Sequence, residues 1–132
     1  MTAEQMKKVI PGYYEAWAKQ DRAAVEAFVG EPFSFTSPYD DHIDRAEFFR
    51  RCWPNAGIQE RLDIQLVLPD GNDGALVLYE ARLKNGKTIR NTEYMRFAGE
   101  RLRSVEVYFG LGPGERPTTP QAWAAGQKSE QK

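Results

Sequence analysis

Thr88-Ile89-Arg90-Asn91-Thr92-Glu93-Tyr94-Met95-Arg96-Phe97 decides how this chain folds. Side chains of an extended strand point alternately to two faces, so Ile89, Asn91, Glu93, Met95 and Phe97 share one face while Thr88, Arg90, Thr92, Tyr94 and Arg96 share the other. The first face is apolar except for Asn91 and Glu93, the pattern of a strand laid on a core. Upstream, Asn85-Gly86 is the strongest two-residue hairpin signal in the chain, and downstream Ala98-Gly99-Glu100 turns the backbone again. The strand therefore lies between two others, over 75–83 and 102–109. Before them Leu62, Ile64, Leu66 and Leu68 alternate with Arg61, Asp63 and Gln65, and Pro69-Asp70-Gly71-Asn72-Asp73-Gly74 is dense in turn formers. Four long strands between 61 and 109 read as an antiparallel meander.

Helical spacing replaces this alternation nearer the N-terminus. Over 3–20, Met6, Val9, Ile10, Tyr13, Tyr14 and Trp17 recur every three or four residues, Thr2 is placed to cap the helix, and Pro11 predicts a kink or a restart. Asp21 heads a second short helix carrying Val25, Phe28 and Val29, which Gly30 ends. Phe33-Ser34-Phe35-Thr36-Ser37 alternates as a short strand stopped by Pro38, and Tyr39-Asp40-Asp41-His42 follows as a polar loop. Asp44 caps a third helix with Phe48, Phe49, Cys52 and Trp53, closed by Pro54. Helices first and a long sheet after them give an α+β domain: a cone-like curled antiparallel sheet packed against three N-terminal helices, enclosing a cavity. The domain is expected to span 1–110. The shift to Gly, Pro, Thr, Gln and Lys makes 111–132 a flexible tail with Trp123 as its one apolar anchor.

The composition fits one folded domain. Of 132 residues, 41% are hydrophobic and 28% charged, too apolar a mixture for a disordered chain. A net charge of −1 supplies no basic field for nucleic acid or an anionic membrane surface. No apolar run reaches the roughly 18 to 20 residues of a membrane span, and the first residues lack the apolar core of a signal peptide, so a cytoplasmic location is expected. One cysteine, Cys52, and one histidine, His42, exclude an internal disulfide and a zinc site of four Cys/His ligands. The phosphate-, dinucleotide-, hydrolase- and zincin-type motifs are absent, so neither cofactor nor metal is expected.

Glu93 is the most informative acid, because a carboxylate among apolar neighbours is costly unless paired or neutral. Two readings stay open: burial keeps it protonated as a hydrogen-bond donor, or it pairs with Arg82, Arg90 or Arg96. Tyr13 and Tyr14 point about 100° apart on their helix, so only one is expected to enter the cavity directly, as a donor to a ligand oxygen or as a core phenol. Asp40, Asp41 and His42 are candidates for a general base, or else a solvated loop ahead of the Asp44 cap. Their spacing is not that of an EF-hand. Cys52 reads as an inert core thiol. Trp17, Ser37, Phe49, Trp53, Asn91, Met95 and Phe109 complete the expected pocket. Val77, Tyr79, Thr92, Tyr94 and Tyr108, read as facing outward, are too much apolar surface to leave wet, which predicts a homodimer through the outer sheet face.

Glu93-Tyr94-Met95-Arg96-Phe97, the turn after it, and the run from Arg101 to Tyr108-Phe109-Gly110 resemble the last hairpin of the steroid isomerases in the nuclear transport factor 2-like (NTF2-like) superfamily. Phe35-Thr36-Ser37-Pro38, Cys52-Trp53-Pro54 and Arg90-Asn91-Thr92-Glu93 are similar to strings in its SnoaL-like members. The resemblance covers residues 4–110 and implies the α+β roll shared with cystatin-like proteins, with a small apolar or carbonyl-containing molecule as partner. In the ketosteroid-isomerase-like members a protonated acid and a tyrosine hold the developing oxyanion and an aspartate is the base. The resemblance sets Glu93 and Tyr13 at the first two positions. The base position precedes a proline and is Ser37 here, and a serine hydroxyl does not remove a C–H proton unaided, which leaves Asp40, Asp41 or His42 to carry it.

Two functions compete. One is an isomerase or lyase in which Tyr13 and Glu93 polarise a carbonyl while the 40–42 loop moves the proton. The other is a ligand-binding or dimeric scaffold domain without chemistry, and whether a base reaches the cavity separates the two. A limonene-type epoxide hydrolase on the same fold ranks last, because no stretch of the sequence spells out its Asp-Arg-Asp cluster.

Overall fold

Three side chains start the three helices. Helix α1 (Ala3–Ala18) opens on a reciprocal capping box: Thr2 Oγ1 accepts from the Gln5 amide and Gln5 Oε1 accepts from the Thr2 amide. Asp21 accepts from the Ala24 amide ahead of α2 (Arg22–Phe28), and Asp44 from the Glu47 amide ahead of α3 (Arg45–Cys52). Helix α1 runs on through Pro11. The computed structural model describes residues 1–115. Its strands are β1 (Val29–Ser37), β2 (Asp40–Ile43), β3 (Gln59–Asp70), β4 (Gly74–Leu83), β5 (Thr88–Ala98) and β6 (Arg101–Tyr108), with a short 3-10 turn at Trp53–Asn55.

These strands form one curved, unclosed, six-stranded sheet in the order β2-β1-β6-β5-β4-β3. The meander β3 to β6 is antiparallel throughout, as its turns predict. The sheet as a whole is mixed, because β1 joins β6 in parallel, with Phe35 opposite Val105 and Thr36 opposite Glu106. Residues 40–43, expected as a loop, pair back on β1 as β2. Gly30 does not end α2 but lies inside β1. A side chain there would meet the Leu102 carbonyl oxygen at 3.1 Å, so glycine is what lets β1 approach β6.

Two register details reverse faces. The β4–β5 connection has three residues between Leu83 and Lys87, whose backbone groups pair, and Gly86 takes the left-handed position at φ 89°. A two-residue turn at Asn85-Gly86 would set Tyr79 against Thr92. The observed turn sets Tyr79 against Asn91 and Val77 against Glu93, so both face inward, contrary to the outward placement expected for them. In β3 an irregularity between Ile64 and Leu66 turns Leu66 and Leu68 outward.

The concave face buries Val77 and Tyr79 of β4, Met95 and Phe97 of β5, and Leu102, Val105 and Val107 of β6. Opposite them lie Met6, Ile10, Tyr13 and Tyr14 of α1 and Phe48 of α3. Each fully buried Met, Ile or Phe contributes about 1.5–3 kcal/mol relative to exposure. After β6, Leu111 bridges to Ile89 and Glu115 Oε1 accepts from the Thr88 amide, so 111–115 run back along the start of β5. The rest of the segment expected as a tail, 116–132, lies outside the described residues. Among the described residues no helix is long and apolar enough to cross a membrane.

Candidate functional site

Asn91 and Glu93 are the only two polar residues buried among the described ones, and they sit one pleat apart on the inner face of β5. The register with β4 brings Tyr79 beside both. Gly110 donates its amide to Asn91 Oδ1 at 3.1 Å, which turns the Asn91 amide nitrogen toward Tyr79. Asn91 Nδ2 donates to Tyr79 Oη at 3.0 Å, and Tyr79 Oη donates its single hydrogen to Glu93 Oε2 at 2.7 Å. The chain of donors has one direction, from the backbone at Gly110 to the carboxyl of Glu93. Oε1 of Glu93 takes no hydrogen bond from any described residue.

Glu93 lines a cavity of about 190 Å³. Tyr13, Tyr14 and Trp17 of α1, Phe35 of β1, Phe48 of α3 and Val107 of β6 supply much of the wall, and Asn55, Gly57 and Phe109 also line it. The Tyr14 hydroxyl is buried beside the Glu93 carboxyl but forms no hydrogen bond of acceptable geometry with it or with any other described group. Among the described residues it is the one buried side-chain polar atom left without a partner. Leaving a buried hydroxyl without a partner costs about 1–3 kcal/mol.

Among the described residues no arginine offsets the carboxyl. Arg82, Arg90 and Arg96 pair instead with Glu60, Glu80 and Asp73, at 4.0, 3.5 and 3.7 Å. Burial lifts the Glu93 carboxyl above its ordinary value, and the hydroxyls of Tyr79 and Tyr14 beside it pull the other way. Burial first, then the field of Glu93, lifts Tyr13, Tyr14 and Tyr79 well above the usual phenol range, so all three are neutral donors at physiological pH.

No protein-family model matches this sequence, and no curated protein matches it. Solved structures do. An NTF2-like protein of unknown function from Burkholderia xenovorans is similar with a TM-score of 0.74 at 18% identity, over 93% of this chain and 95% of that one. The chain has the NTF2-like fold. A proposed ketosteroid isomerase from Kribbella flavida is similar with a TM-score of 0.69 at 16% identity, over 90% of this chain and 87% of that one. A protein of unknown function with a cystatin-like fold from Methylobium petroleophilum gives 0.71 and 18%, over 90% and 84%. Such likenesses are of fold, and an NTF2-like scaffold leaves function to the side chains in its cavity.

On this NTF2-like scaffold Tyr13, Trp17, Asn91, Glu93 and Phe109 all line the cavity. Tyr14 joins Tyr13 there, although neighbouring helix positions were expected to admit only one. The other expected residues lie elsewhere. Asp40 points to Arg51 Nη1 at 2.9 Å and accepts from Ser37 Oγ at 2.8 Å, and neither Asp40 nor Ser37 lines the cavity. Arg51 also holds Glu47 at 3.0 Å, so a carboxylate-arginine-carboxylate cluster exists, with Arg51 and Glu47 exposed and Asp40 largely buried, and none of the three lines the cavity. His42 is exposed and pairs with exposed Asp41 at 2.7 Å. Phe49 lies on the far side of α3, between the guanidinium groups of Arg22 and Arg45, because its neighbour Phe48 takes the inward position. Trp53 packs on Trp17 behind the wall, with ring centroids 5.1 Å apart, and Met95 is wholly buried deeper in the core. Tyr79, Phe48, Cys52 and Gly110 are site residues the sequence reading missed. The signal for Tyr79 is its place opposite Asn91, visible only once the turn length is known.

Proposed function

We propose that this chain binds a small, largely apolar molecule through one oxygen atom, held by hydrogen bonds from Tyr14 Oη and from Glu93 Oε1 in its protonated form, with Tyr13 as the second phenol on the same wall. The observation that carries this reading is the buried Tyr14 hydroxyl, without a partner among the described residues, beside the buried Glu93 carboxyl on the wall of a largely apolar cavity. Two donors converging on one carbonyl oxygen withdraw electron density from it and favour an enolate-like form of the ligand. Titration with 4-nitrophenol, followed by its absorbance, tests the reading. Saturable binding of the phenolate is expected, weakened by about 1.5–3 kcal/mol in Glu93→Ala and in Tyr14→Phe and largely retained in Glu93→Gln. Equal binding by all variants would sink it.

An isomerase or lyase built on this site needs a base, and among the described residues Glu93 is the only acidic side chain that lines the cavity. In this second reading the ionised fraction of Glu93 takes the proton from the carbon next to the carbonyl while Tyr14 holds the oxygen. Deuterium exchange of the α-protons of cyclohex-2-enone, followed by NMR, distinguishes it: catalysed exchange lost in Glu93→Gln supports turnover, and its absence leaves binding alone.

A homodimer through the outer face belongs to the same proposal. Leu66, Leu78, Thr92 and Tyr108 form one row across β3, β4, β5 and β6, and Leu66, Leu78 and Tyr108 are exposed. A second copy laid on this row would remove them from water.

A further inference from the structure

We propose that the ligand is two-part: a single-ring, oxygen-bearing head in the cavity and an uncharged apolar chain that lies in the groove at the cavity mouth. This rests on the binding reading above and adds the class of molecule. The head is sized by volume. A dry protein cavity of about 150 Å³ takes benzene, so the 190 Å³ found here has room for one substituted ring. The chain is indicated by what adjoins the mouth. A groove of about 780 Å³ shares two walls with the cavity, Asn91 and Phe109, so the two spaces meet at those residues.

The groove is otherwise walled by Pro38, Tyr39, Ile58, Leu83, Ile89, Gly110 and Leu111, and among the described residues no charged side chain lines it. Tyr39 is 80% exposed, Ile58 46%, Phe109 49% and Leu111 38%, so apolar surface from three separate segments converges there and stays wet. Tyr39 and Phe109 hold one side of it as an aromatic pair with ring centroids 5.7 Å apart. Tyr14 and Glu93 line the cavity and not the groove, whose walls apart from Asn91 are mostly apolar. A molecule matching both spaces has its oxygen at one end and hydrocarbon at the other.

The test is calorimetric titration of the full chain with phenol and with 4-ethyl-, 4-butyl- and 4-hexylphenol. Each added methylene is expected to tighten binding about twofold to fourfold. The double variant Ile58→Ser with Leu111→Ser, checked for folding by circular dichroism, is expected to flatten that dependence, whereas Tyr14→Phe weakens every member of the series. Phenol binding with no dependence on chain length overturns the two-part ligand and leaves the oxygen-binding reading standing. The same flat result arises if 116–132 fill the groove, and it overturns the proposal equally. Failure of every member to bind overturns both readings.

Discussion

Tyr79 Oη lies 2.7 Å from Glu93 Oε2, and the hydrogen in that bond belongs to the phenol. Asn91 fixes this, since its amide nitrogen already donates to the same oxygen. The phenol thus engages one carboxyl oxygen, and the other takes no hydrogen bond from a described residue. A carboxyl held in this way needs no arginine to keep its orientation, which suits a site meant to stay uncharged or to change charge with its ligand.

Tyr79→Phe removes the donor to Glu93 and leaves the Asn91 amide without its acceptor. A loss of about 1–3 kcal/mol in urea unfolding is expected, together with a further rise in the Glu93 value. Unchanged stability would show that the donor chain contributes nothing.

Stability should fall with rising pH in a manner Glu93→Gln abolishes. Burial raises the folded-state value of Glu93 above its ordinary 4.5, so between the two values the native state holds the proton more tightly than the unfolded chain. The stabilisation is complete below the ordinary value and is lost as pH rises through the folded value, about 1.4 kcal/mol for each unit of elevation. Urea midpoints from pH 4 to 8 for both proteins check this. A difference between them that stays constant with pH contradicts it.

Gly110→Ala should damage the site without touching it. An added Cβ would stand 2.1 Å from the Arg90 carbonyl oxygen, so the backbone must retreat, and the Gly110 amide with it. Asn91 then loses its anchor. Weaker phenolate binding together with a stability loss of about 1–3 kcal/mol is expected, and normal values for both would exclude a role for this amide.

Cys52 should react slowly although it lines the cavity. Burial, then Asp40, pushes its thiol up to about 12 from 9.0. Its thiolate fraction near neutrality is therefore on the order of a thousandfold below that of an unfolded thiol, partly offset by the higher nucleophilicity of the more basic sulfur. Labelling of native against urea-unfolded protein measures the ratio, and equal rates would mean an accessible, acidic thiol.

Sedimentation at micromolar concentration should show a dimer of the 15.1 kDa chain. Leu78→Lys on the outer row should give the monomer with the fold intact. A monomeric parent protein removes the outer face from consideration as an interface.

How much of this was legible depends on how local the cause is. The caps at Thr2, Asp21 and Asp44, the alternation of β5 and the position of Glu93 on its inner face follow from neighbours within a few residues, and all are found. The facing of Tyr79 and Val77 depends on whether a turn has two residues or three, and one residue reverses every side chain of the strand. The parallel pairing of β1 with β6 depends on residues far apart in the chain, for which periodicity has no signal. The loop acids looked functional because loops often are. Asp40 is instead engaged by Arg51 from α3, a contact between elements that no spacing rule describes.

That same parallel pairing sets a timetable for synthesis. Phe35 has no neighbour on its β6 side until Val105 has been made, so a chain growing from the ribosome holds its first helices and an open strand edge until nearly the whole domain has emerged. Long-range pairing of this kind is slow and leaves apolar surface uncovered meanwhile. Val107 and Phe109 are the last residues of the cavity wall to be made, and a ligand or chaperone present before them would meet an incomplete cup.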